Sequence, residues 1–79
     1  MRFLFTMNMP SFNGHLVHQI IGDHGSKSLD DLTDFMSKRD FIIVSEVYKD
    51  TTRDSVNYYP KGDVVLSCLH IGKVKEFST

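Results

Sequence analysis

From Arg2 to Met9 the apolar side chains occupy one alternate set, Phe3, Phe5, Met7 and Met9, while Leu4, Thr6 and Asn8 form a second set that is polar beyond Leu4. A period of two with one apolar set is the signature of a strand with one buried face, so a first strand is placed over 2–9. Pro10, Ser11, Asn13 and Gly14 then make a turn cluster whose length suits an antiparallel hairpin with an open loop rather than a two-residue turn. A second strand follows over 15–21, with Val17, Gln19 and Ile21 on one face and Leu16, His18 and Ile20 on the other, and Gly22 ends it.

Residues 23–27 read as a polar, glycine-containing loop. After them Ser28 and Asp31 form an S-x-x-D capping signature, the clearest local signal in the chain. Leu29, Leu32, Phe35 and Met36 recur at helical spacing and make one apolar stripe. Asp30, Asp31 and Asp34 favour the positive end of the helix dipole, and Lys38 and Arg39 favour the other end, so a helix is predicted over 29–39. Phe41 to Val44 is an unbroken apolar run that continues in alternation through Glu46, Val47 and Tyr48, giving a third strand. Residues 50–57, with Thr51, Thr52, Arg53, Asp54 and Ser55, form a polar excursion, and 58–63 (Tyr58, Tyr59, Pro60, Lys61, Gly62, Asp63) reads as a turn. The second unbroken apolar run, 64–69, is expected to be a central strand. Beyond Gly72, Val74 and Phe77 alternate with Lys73, Lys75 and Glu76, as in an edge strand.

The order β-β-α-β-β-β with hairpin-length connections predicts an α+β fold: a small single-layer antiparallel β-sheet of four to five strands with one α-helix packed on one face. One helix covers one face. The other face must be solvated, covered by the 50–57 excursion, or used for contact. Seventy-nine residues suffice for one compact domain, taken as 1–79, and 41% hydrophobic residues with five glycines lie in the ordinary globular range. A domain this small buries only about 60–65% of the surface of its unfolded chain, so a partner surface would add to a thin core. The single cysteine forms no internal disulfide and points to a reducing compartment. The start Met1-Arg2-Phe3-Leu4-Phe5 is interrupted by Asn8 and Pro10 too early for a signal peptide, and no run is long enough to span a bilayer. A cytoplasmic protein with no membrane partner is expected.

Candidate chemistry is sparse. His18, His24, Cys68 and His70 are the residues from which a metal site would be assembled, with His15 and Asp23 nearby in sequence, but their spacing shows no preformed set. Cys68 lies between Ser67 and Leu69 in an apolar run, away from any feature that stabilises a thiolate. No G-x-S-x-G elbow occurs, and Gly22, Gly25 and Lys27 lack the spacing of a phosphate-binding loop. Gly25, Ser26 and the amides after them are left as a helix start that can accept an anion. No catalytic residues and no cofactor are expected, and the chain is read as a non-enzyme.

Two binding readings remain. Lys61, Lys73 and Lys75 with Tyr58 and Tyr59 would form a nucleic-acid patch if they share a face. Against it, residues 1–22 carry a charge of +1, residues 23–54 carry −3 and residues 55–79 carry +1, so no segment is strongly basic. Protein contact is favoured instead, with Phe12, Tyr58 and Tyr59 as contact residues because large aromatics stand there in turn-like places. Phe3, Phe5 and Met7 are assigned to the core. The sequence therefore reads as a small protein–protein interaction module, a regulator or inhibitor of another protein, with homodimerisation through an edge strand as a further option. In size and in its lack of catalytic residues it resembles the accessory proteins of bacteriophages and mobile elements, anti-CRISPR inhibitors among them; no matched residue carries that likeness.

Overall fold

The computed structural model describes residues 1–52 and 55–78, and of His15 the backbone. Arg53 and Asp54 of the polar excursion and the His15 side chain lie outside the described residues. The elements run β1 (Arg2–Ser11), β2 (Gly14–Asp23), α1 (Leu29–Ser37), β3 (Phe41–Asp50), β4 (Asn57–Ser67), a 3-10 turn (Cys68–His70) and β5 (Ile71–Glu76). The described strands form one antiparallel five-stranded sheet in the order β4-β3-β2-β1-β5. The α+β arrangement expected from the pattern is thus the one observed.

β1 and β2 pair along their whole length, from Arg2 opposite Asp23 to Ser11 opposite Gly14. The open loop expected after residue 9 is instead a two-residue turn, Phe12-Asn13. The strand pairing carries through Pro10, and Gly14 at φ +120° supplies the left-handed backbone that closes so short a connection. Phe3, Phe5 and Met7 point to the same face as Ile20 and are buried, as their alternation predicts.

α1 begins where its cap places it. Ser28 Oγ accepts from the Asp31 N–H at 3.0 Å, and Asp31 Oδ2 accepts from the Lys27 N–H at 2.9 Å. The helix ends at Ser37, two residues short of the expected Arg39, so Lys38 is its C-cap and no basic residue stands in its last turn. Leu32 is fully buried, with Leu29, Phe35 and Met36 packed at the margin of the core.

β3 and β4 correct three expectations. β4 takes in residues 58–63, which read as a turn; a register shift between Glu46 and Val47, together with Gly62 at φ +115°, accommodates Pro60 in the strand. β4 is an edge strand, not a central one, and Pro60 is tolerated there because an edge leaves one row of amides unpaired. Finally the apolar run ends at Ser67, so Cys68 lies in a 3-10 turn and is half-buried.

The sheet is strongly coiled. A flat five-stranded sheet would hold its edge strands about 19 Å apart, yet the rings of Tyr58 on β4 and Phe77, just beyond β5, stand 5.5 Å apart edge to face. At the opposite end a turn of only three residues carries the chain from β4 to β5. β2 meets β3 only through Ile21–Asp23, so the two hairpins diverge from a short shared base. That divergence raises the radius of gyration to 13.3 Å, above the about 11.6 Å of a globule of this length. In this short shared ladder Gly22 opposes Glu46, and a Cβ on Gly22 would stand 2.8 Å from Cγ2 of the diagonal neighbour Val44, so only glycine lets the strands approach. The core gathers Phe3, Phe5, Met7, Ile20, Leu32, Ile42, Val44 and Leu66 on the concave side, while Val47 is buried outside that cluster.

Candidate functional site

The pairing Phe41 opposite Ser67 and Ile43 opposite Val65 places these residues on the face of β3–β4 turned away from Ile42, Val44 and Leu66. Phe41, Ile43 and Val65 are each about three-fifths exposed, and Leu69 in the adjoining 3-10 turn is 88% exposed. Phe41 and Leu69 line one shallow hollow together with Arg39, Asp40, Ser67 and Cys68. Phe41 also borders a second, more apolar hollow in which Met7, Met9, His18 and Ile20 face Val64 and Leu66. Phe41, Ile43 and Val65 thus make an exposed apolar patch at one end of the β3–β4 hairpin with Leu69 beside Phe41, while the second hollow opens on the core side. Farther along the same face the Ser45 hydroxyl donates to Asp63 at 2.9 Å, while Glu46, which alternates onto the face of Ile42 and Val44, pairs with Lys61 at 3.7 Å.

This surface was not among the contact residues the sequence suggested. An unbroken apolar run signals a strand buried on both faces, and Phe41–Val44 and Val64–Leu66 are such runs; the coil of the sheet leaves one of those faces bare. Of the expected contact residues, Phe12 projects fully from the β1–β2 turn. Tyr59 is 42% exposed and lies against Tyr48 across the hairpin, with ring centroids 5.7 Å apart. Tyr58 is half-buried between Phe77 and the Arg2 guanidinium, 5.6 Å from its ring, and acts as packing where the two sheet edges meet.

The three lysines do not form one patch with the tyrosines. Lys61 is on β4 and engaged with Glu46, while Lys73 and Lys75 are on β5 at the opposite edge, facing Thr6 and Leu4 across the pairing with β1. Arg2 shares their face, but its guanidinium is held by Asp23 through two hydrogen bonds of 2.7 and 3.1 Å. That pairing depresses the Asp23 carboxyl below its usual range and raises the Arg2 guanidinium.

The metal candidates are also dispersed. His18 borders the apolar hollow, and Cys68 lies beside Phe41 with its thiol pushed up by burial. His24 Nδ1 accepts from the Ser26 N–H at 3.0 Å and from its hydroxyl at 2.8 Å, and its ring packs edge-on to Phe35. His70 Nδ1 is buried without a hydrogen-bond partner among the described residues. No three His, Cys, Asp or Glu side chains converge among the described residues, so His18, His24, Cys68 and His70 are not brought together as a ligand set. The helix start is closed as well: Ser26 serves His24, and the Lys27 and Asp31 amides are taken by α1's own side chains.

Among the described residues no helix is long and apolar enough to cross a membrane. Comparison with known protein families, with curated proteins and with solved structures finds no match.

Proposed function

We propose that this chain is a non-enzymatic interaction module, working in the cytoplasm, that regulates or inhibits another protein by covering part of its surface. The observation that carries this reading is the bare apolar face of Phe41, Ile43, Val65 and Leu69, a cluster of large side chains of the kind that marks contact sites on small domains. Rigid β-branched residues flanked by a ring and a leucine offer apolar area at low cost in side-chain entropy. Phe12 at the hairpin tip and Tyr59 are secondary contacts.

The test is capture of a partner by tagged protein, with and without nuclease. Ile43→Asp or Val65→Asp lowers affinity by at least about 30-fold, whereas the double change Lys73→Glu, Lys75→Glu leaves it within about threefold. A second reading, a nucleic-acid-binding module, is favoured by Lys73 and Lys75 standing on one face with Arg2, where Asp23 is the acidic neighbour and is already paired. Under that reading the sensitivities reverse, and binding falls steeply with salt.

A further inference from the structure

We propose that the edge of β2 over 14–20 is a strand-addition site, which takes an extended segment of a partner protein with apolar side chains at every second position. The site is separate from the outer face of β3–β4, and its backbone defines it. The Met1 ammonium donates to the His24 carbonyl at 2.7 Å, and the His24 N–H donates to the Met1 carbonyl at 2.9 Å, so these two residues exchange both bonds. Such pairs alternate along an antiparallel ladder, and β1–β2 runs without a register shift. Leu16, His18 and Ile20 therefore turn their backbone groups toward β1. Those of Val17 and Gln19 turn the other way, as do those of Ile21 toward Val47. β3 follows β2 only as far as Ile21, so among the described residues Val17 and Gln19 face no strand.

The same geometry specifies the occupant. A row of amides and carbonyls at strand spacing is satisfied in register by another extended main chain. The two outer edges of the sheet are defended against that: β4 carries Pro60, Lys61 and Gly62 at its register shift, and β5 carries Lys73 and Lys75. Residues 14–20 of β2 hold neither a proline nor a lysine, arginine or carboxylate. Because β2 and β3 stay joined at Ile21–Asp23, the space between them is a wedge closed at one end. A single segment enters such a wedge, whereas the edge of a folded sheet, a second copy's included, would drive its neighbouring strands into β3. Side-chain chemistry follows from the core side of the wedge. There His18 and Ile20 border an apolar hollow with Met7 and Met9 of β1 and Val64 and Leu66 of β4. One alternate set of the added strand meets these walls and the other meets solvent, which sets the apolar period at two.

Selection of displayed random peptides against the folded full chain tests this, with one selected peptide synthesised as the probe. Peptides with apolar residues at every second position are expected to be enriched. Hydrogen exchange of the wild-type chain with that probe, followed by NMR, reads the binding mode: the Val17 and Gln19 amides slow by at least about tenfold, while Leu16 and His18, already bonded to β1, change little. N-methylation of one alternate set of the probe's amides lowers affinity by at least about tenfold, and of the other set by less than about threefold. Val17→Pro removes an outward N–H, spares the β1 ladder and lowers affinity by a similar factor with unchanged circular dichroism. Ile43→Asp, on the opposite face, leaves it within about threefold. Failure to enrich any peptide overturns the proposal, as does a probe that binds without slowing Val17 and Gln19 or regardless of N-methylation. Slowing of the same two amides with rising protein concentration and no probe gives the edge to a second copy and overturns the partner segment.

Discussion

Gly22 shows how a single residue fixes the geometry of this molecule. It sits in the ladder between β2 and β3, diagonal to Val44, and the 2.8 Å that a Cβ would have to Val44 Cγ2 leaves no room, because Val44 is itself fully buried. Gly22→Ala is expected to lower stability by about 1–3 kcal/mol, the range for overpacking a tight core, as read by urea denaturation. Phe12→Ser should change it by less than about 0.5 kcal/mol, since the ring touches solvent on all sides. Acid acts through two groups. Burial depresses the His24 imidazole below its ordinary 6.5, so the unfolded chain takes up a proton the folded chain refuses, and stability drains as pH falls below that value. Asp23, depressed below 3.8 by its bonds to Arg2, contributes above that value and is lost as pH falls through its folded-state value. The melting temperature should therefore decline from pH 7 to 5 and again toward pH 3. His24→Asn keeps an acceptor for the Ser26 N–H and should flatten the first decline only.

Among the elements, α1 was the most legible, because its start is written in local chemistry: Ser28 caps the Asp31 amide whatever the rest of the chain does. Ser28→Ala should cost about 1 kcal/mol, measurable by thermal unfolding. β1 was equally plain, since Phe3, Phe5 and Met7 alternate with less apolar neighbours and alternation reports one buried face. The β3–β4 hairpin was not. Tyr58 to Asp63 is rich in turn formers, yet it is strand, because pairing with β3 and a register shift absorb Pro60 and Gly62. The run Val64–Leu66 carries no periodicity, and a run without periodicity cannot say which of its faces is covered. Val65 was therefore not singled out, and the exposed apolar face of β3–β4 went unseen in favour of Tyr58, which the fold spends on packing against Phe77.

At the scale of the whole molecule, the coil of the sheet decides where stability resides. β1 is flanked by β2 and β5 and carries Phe3, Phe5 and Met7, so its amides should exchange with solvent most slowly. The outward amides of β4 and those β2 amides over 14–20 that point away from β1, where β2 has left β3, should exchange fastest among the strands. Hydrogen exchange followed by NMR would read both. The sequence by itself determined the elements whose causes are local or periodic: the helix cap, the buried alternate set of β1 and the α+β order. Tertiary structure alone decided which strand lies at the edge, where Tyr58 goes, and which face of Phe41–Val44 meets solvent. Those outcomes depend on the curvature of the sheet, which goes with the short β2–β3 ladder around Gly22 and the shift at Glu46–Val47, and curvature is a property of strands in combination that no single segment encodes.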